Sequence, residues 1–388
     1  MVPLAAVFTA GFVAIGAHAR ASTGIGPTRA KVQSFVRRSV GPGRTVQDKF
    51  AGVIFGWAVD ENGTDGFLTE VVPPSGDPYT SYVETFDQTT GKITKVVKKQ
   101  NSGPSGAKEL AATAIVANDV GLIEDQIDVN YQPNDKWYLM APVTGGKVTG
   151  KWTPPPGAYF HLWDIADQQV DPNAVMATTI NEHGISRPPT FQVIVGNFAT
   201  SQILFTLNTP QGDGVNYPYL VAEDMGTHHA YVPAANYSSN TVFIDYDVVT
   251  GHVSNNFVAP AFSGPVSGIA IDSATHMMCT STHSTYSIQI YNLKTKQQTF
   301  VGQVPNAGGE GQAPSSIAAD PINHYFIVTQ PNSLRGGSEI YVYDENGNEV
   351  EELPGFLFGD GAGIQVIPKT RTGWVPGPSF NQLQSFTY

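Results

Sequence analysis

The sequence predicts an all-β fold, and within that class a β-propeller of repeated four-stranded blades. Three observations carry this. The 388 residues include 40 Gly and 28 Pro beside 16 Tyr and 20 Phe, the make-up of many short strands joined by tight turns. No stretch sustains the apolar period of a helix. One motif also recurs at a fixed interval. Val266-Ser-Gly-Ile-Ala-Ile-Asp272 leads to His276, and Pro314-Ser-Ser-Ile-Ala-Ala-Asp320 leads to His324. A weaker copy, Tyr219-Leu-Val-Ala-Glu-Asp224, leads to His228, and the three Asp stand 48 residues apart.

Each part of the repeat has a physical reading. A small, apolar inner strand lines the axis, and the Asp reverses the chain by bonding nearby backbone amides. Two further strands follow, the second ending in an aromatic–Asx pair: Tyr246-Asp247, Tyr291-Asn292 or Tyr343-Asp344. A turn such as Asp344-Glu-Asn-Gly347 then leads to an outer strand. A four-stranded sheet of this kind cannot bury both faces alone, so the copies must stack.

In chain order, the apolar run Met1–Ala17 with Ala17-His-Ala19 and Ala19-Arg-Ala21 behind it reads as a secretory segment, residues 1–21. That leaves residues 22–388 as one propeller domain of a secreted protein. Because no basic residue precedes the run, a cytoplasmic chain with an ordered apolar start is the alternative. Tyr82 to Ile93 and Trp137 to Val148 match a third strand with its turn, and Phe191–Val195 with Ser201–Phe205 form a strand pair. Gly363 to Pro368, Gly373 to Val375 and Gln382 to Phe386 supply three strands of a last blade. The count is seven blades, with six the alternative. An N-terminal strand, Ala30–Val36 or Gly52–Gly56, is expected to complete the last blade and close the ring.

Composition excludes several classes of function. A net charge of −12 with only 21 Lys and Arg leaves no cationic surface for nucleic acid. The runs Arg37-Arg38 and Lys95–Lys99 read as solvated strand edges. No later stretch is long and apolar enough to span a bilayer as a helix. The single Cys279 sits in an apolar strand and reads as a small core residue. Zincin, nucleophile-elbow and P-loop signatures are missing from the sequence, and Gly359-Asp-Gly-Ala-Gly363 reads as a blade connection. His228, His276 and His324 occupy equivalent turns and so point in different directions, which predicts no tightly bound transition metal. No cofactor is expected.

The Ile-Ala-x-Asp ending of the inner strand (Ile269 to Asp272, Ile317 to Asp320) resembles the lactonase-type seven-bladed propellers, which include carboxymuconate cyclase-like proteins. It is more loosely similar to the gluconolactonase group, whose metal-binding acids have no placeable counterpart here. The resemblance covers about residues 215 to 365 and implies the fold first.

Topology then points to one rim of the channel. The connections between blades hold His161, Tyr217, Tyr219 and Glu310, and the loops read as joining second to third strands hold Asn197, Tyr237, His283, Tyr286, Asn332 and Arg335. His283 among hydroxyls is the candidate general acid or base, and Arg335 the candidate fork for a carboxylate or carbonyl oxygen. The others are candidate substrate-binding residues. The expected function is conversion of a small organic molecule by lactone opening or closing, cyclisation or isomerisation, without a redox cofactor, and the expected state is a monomer. The alternatives are a polysaccharide lyase acting on uronic-acid glycans and a non-catalytic glycan- or protein-binding propeller.

Overall fold

In the computed structural model, residues 53–388 are described apart from positions 89 and 357 and the segments 60–64, 73–79, 102–108, 117–119, 127–135, 142–146, 153–159, 169–173, 182–189, 198–201, 209–214, 217–219, 237–239, 255–256, 264–265, 283–284, 306–313, 332–337, 359–362 and 377–382. From 97 to 219, and at some further strand positions, the backbone alone is described. All of these residues belong to one compact unit, Ser39–Tyr388. The expected secretory segment, residues 1–21, and the candidate closing strand Ala30–Val36 lie outside the described residues.

Among the described residues there are strands and turns, no helix, and seven antiparallel sheets in chain order. The first holds β1 (Val53–Ala58), β2 (Asp65–Val72), β3 (Thr80–Asp87) and β4 (Ile93–Asn101), and the second β5 (Glu109–Val116), β6 (Val120–Gln126), β7 (Lys136–Ala141) and β8 (Lys147–Trp152). β9 (Phe160–Gln168), β10 (Ala174–Asn181), β11 (Thr190–Asn197) and β12 (Gln202–Asn208) form the third. In the fourth, β13 (Val215–Asn216) and β14 (Ala222–Asp224) both pair with β15 (His229–Asn236). Its β16 (Asn240–Asp247) carries β17 (His252–Val253) and β18 (Phe257–Ser263) on the other side. The fifth is β19 (Val266–Asp272), β20 (Met277–Thr282), β21 (Ser287–Asn292) and β22 (Gln297–Gln303). The sixth is β23 (Ser316–Asp320), β24 (Tyr325–Gln330), β25 (Ser338–Asp344) and β26 (Glu349–Phe356). β27 (Gln365–Ile367), β28 (Thr372–Pro376) and β29 (Leu383–Thr387) make the seventh.

Each sheet meanders, and its first strand lies against the first strand of the next. Thus β1 neighbours β5, β5 neighbours β9, β9 neighbours β14, and so on through β19, β23 and β27. Both faces of a middle strand are therefore covered, which is why β20 is buried at every position. Along β24, Phe326 and Val328 pack toward the fifth sheet while Ile327 packs toward the seventh. A large apolar side chain buried in this way contributes about 1.5–3 kcal/mol. Outer strands alternate instead: β22 is exposed at every second residue, and Lys95 and Val96 on β4 face solvent.

One expected strand belongs elsewhere. Val53–Ala58, which overlaps the candidate closing segment Gly52–Gly56, is the first strand of the first sheet and pairs with β2. The seventh sheet has three strands among the described residues. First and last sheets meet through side chains: Val59, Leu68 and Phe86 pack with Ile367, Trp374 and Leu383. The Phe86 and Trp374 rings meet edge to face at 5.7 Å, and the Val59 N–H donates to Gln365 Oε1 at 2.8 Å. No helix among the described residues is long and apolar enough to cross a membrane.

Candidate functional site

The sheets have two chemically different ends. At one, tight turns join first to second and third to fourth strands, and the repeated Asp and His meet there. Asp224, Asp272 and Asp320 close β14, β19 and β23, and each is fully buried. One oxygen caps the residue's own turn: Oδ1 accepts from the N–H of Gly226, Ala274 and Ile322 respectively, at 2.9–3.1 Å. The other oxygen turns to the next sheet. His276 Nδ1 lies 2.7 Å from Asp224 Oδ2, and His324 Nδ1 lies 2.8 Å from Asp272 Oδ2.

The backbone sets this up. His228, His276 and His324 all adopt φ near +60°, which swings each ring off its own sheet. A Cβ on Gly226 would stand 2.7 Å from His276 Cε1, so glycine there lets the ring approach. In the seventh sheet Arg371, φ 52°, takes the equivalent place, with its guanidinium over the rings of Tyr325 and Tyr388. The Tyr388 hydroxyl donates to Asp320 Oδ2 at 2.9 Å. His276 and His324 are ties between sheets and, as their spacing implies, face different seams.

A cleft of about 230 Å³ opens at this end between the fourth and fifth sheets. In it the buried Asp245 is bracketed by His229 Nδ1 at 2.5 Å and Lys296 Nζ at 2.6 Å. Ser254 Oγ stands 3.4 Å from the same His229 Nδ1. Because serine and carboxylate meet one ring nitrogen, the three cannot relay a proton as a Ser-His-Asp triad does. Burial, with Asp245 and Asp224 nearby, pushes the Tyr231 hydroxyl up. The group is a balanced ion pair joining two sheets. Cys279 is buried too, and burial pushes its thiol up, so it is no nucleophile.

At the opposite end lie the connections between sheets and the loops from second to third strands. Tyr217, Tyr219, Tyr237, His283, Glu310, Asn332 and Arg335 lie outside the described residues. His161 is the second residue of β9, pairing with Ile180 at the end of β10, and only its backbone is described. Tyr286 is half-buried in the turn before β21, with φ 53° and its carbonyl accepting from Val304 N–H at 3.1 Å.

Asn197 needs correction. It ends β11 and pairs with Ala174 at the start of β10, the far end of the third sheet from His161. Roughly 20 Å of strand separates the two levels. Ala174–Asn181 is the second strand of this sheet, so Asn197 follows the third strand and leaves the rim.

Sequence reading also missed a residue at this end. Gln330, the last of β24, is fully buried, and neither its Oε1 nor its Nε2 has a hydrogen-bond partner among the described residues. By strand alternation it shares the face of Phe326 and Val328 that meets the fifth sheet. Hydroxyls line that seam: the buried Ser281 Oγ stands 3.0 Å from the half-buried Ser267 Oγ, which donates to the Pro314 carbonyl at 2.7 Å. No sequence signal marks Gln330, since an unpaired amide is visible only once its surroundings are.

The fold and these two ends define an all-β repeat protein of small stacked antiparallel sheets. No protein-family model and no curated protein matches the chain. Among solved structures it is similar to Kuenenia stuttgartiensis hydrazine synthase, with 12% identity and a TM-score of 0.61, over 92% of this chain and 99% of that one. At that identity the likeness concerns the fold alone.

Proposed function

We propose that the chain is a seven-bladed propeller enzyme acting on a small, oxygen-rich organic molecule at the end where second and third strands join. Seven sheets in sequence, with the last packed on the first, support the ring. The observation that carries the choice of end is Gln330. A buried amide without partners costs about 1–3 kcal/mol, so a group kept in that state favours an occupant that supplies both an acceptor and a donor. At the turn end the carboxylates of Asp224, Asp272, Asp320 and Asp245 are all committed to partners. Among the described residues, the polar groups left unpaired on the strands leading there are the single hydroxyls of Tyr246 and Tyr343, neither of which offers a separate donor and acceptor as an amide does.

In this reading Arg335 holds an anionic or carbonyl oxygen through its fork, and His283 moves a proton. Gln330 orients the substrate from the seam below. Positioning alone can remove a large share of the barrier to ring opening, closing or isomerisation.

The test is turnover against a panel of lactones, with uronic-acid oligosaccharides as the lyase control. His283→Gln is expected to lower turnover about 10²–10⁴-fold. Arg335→Lys weakens substrate handling, since an ammonium cannot reproduce a planar fork. Gln330→Met raises the melting temperature while weakening substrate binding. Full activity in both the His283 and Arg335 variants refutes the proposal, and cleavage of the oligosaccharides alone replaces it with the lyase.

A further inference from the structure

We infer that the seam between the fifth and sixth sheets carries, at its turn end, a site for one divalent cation of zinc's class, built from Asp272, His324 and Glu345. One ligand atom from each lies within 4.8 Å of the other two. Two carboxylate oxygens and an imidazole nitrogen are donors that such an ion takes together. Bond lengths of about 2.0–2.2 Å put tetrahedral donors roughly 3.3 Å apart, so the His324–Asp272 pair opens slightly from 2.8 Å while Glu345 closes in. Glu345 sits in an open turn and His324 is half-exposed, so both can move, while the buried Asp272 is fixed by its turn.

The repeat supplies the internal control. At the preceding seam Asp224 and His276 make the same tie, and the residue matching Glu345 after the aromatic–Asx pair is Leu293, buried in the core. The tie therefore works without a second carboxylate. At the later seam the extra acid brings a like charge against Asp272, which is unfavourable unless something positive stands between them. Thr275 donates its hydroxyl to Glu345, which holds that side chain over the seam. In the ion-free form a proton bridges His324 Nδ1 and Asp272 Oδ2, and a cation displaces it. The histidines of different blades do diverge. The donors that converge come instead from one blade's Asp and the next blade's His and Glu.

The experiment is calorimetric titration of the chelator-treated full chain with zinc chloride, beside melting curves with and without zinc. The expected result is a saturable site near one equivalent, weakened at least tenfold in both Glu345→Gln and His324→Asn. Glu345→Leu, which copies the preceding seam, is expected to melt higher than wild type without zinc and to lose the zinc-induced shift. Binding unchanged in these variants, or no saturable binding in wild type, overturns the site. A Glu345→Leu protein that melts lower without zinc also overturns it, because Glu345 would then be part of the tie.

Discussion

His276 and His324 form the same bond to a buried carboxylate, but one side chain is 12% exposed and the other 47%. That difference decides their worth. A hydrogen bond to a charged group contributes about 1.5–3 kcal/mol, and stranding a buried carboxylate costs more than losing a solvated one. His276→Ala is expected to destabilise by about 2–3 kcal/mol and His324→Ala by about 1 kcal/mol, where water replaces the ring. Urea denaturation of the two variants measures this, and a reversed order would show that exposure does not set the strength of the tie. The Asp and His positions were legible in the sequence as a repeat. Their partnership was not, because each His bonds the Asp of the preceding sheet and not the one four residues before it.

At the scale of elements, the turn after the third strand was readable in the first, fourth, fifth and sixth sheets. Asp87, Asp247, Asn292 and Asp344 follow a buried aromatic and accept from amides two to four residues on, at 2.7–3.0 Å. Such caps depend on chemistry within a few residues, so they survive in the sequence pattern. Burial works against the charge on Asp247, but amide bonds from Thr250 and Val249 outweigh it and hold the carboxyl below its ordinary value. A depressed carboxyl contributes stability above its unfolded value, about 3.9, and loses it as pH falls through the folded one. Asp247→Ala is expected to cost about 1 kcal/mol near neutral pH, as loss of a cap does. The gap between wild type and variant should close below about pH 3 in melting curves, and a gap that widens on acidification would contradict the sign.

For the whole molecule, the seam between first and last sheets joins residues some three hundred positions apart. Phe86 and Trp374 sit at its centre, both buried. Trp374→Ala removes that contact and is expected to cost about 3–5 kcal/mol, as truncation of a buried aromatic does. Denaturant unfolding measures it, and a loss below about 1 kcal/mol would show that this seam does not hold the sheets together. The sequence pointed to closure but assigned it to an N-terminal strand completing the last sheet. Of its two candidates, Ala30–Val36 lies outside the described residues, and Gly52–Gly56 falls in the strand Val53–Ala58, which pairs with β2 because the hairpin partner Asp65–Val72 is only a few residues away and local pairing closes a short loop.

The sequence by itself determined the all-β class, the repeating unit, the turns that reverse it and the strands of the last sheet. These follow from propensity, alternation and Asx chemistry, which act over spans of two to ten residues. Only the tertiary structure decided which end of a sheet each side chain occupies and what it meets across a seam. Asn197 moved to the far end once one more strand was counted. Gln330 emerged as an amide without a partner, and Glu345 came to stand beside Asp272. Such meetings depend on register and on the stacking of whole sheets, and a one-residue change in strand pairing reverses them. No local pattern in the chain records them.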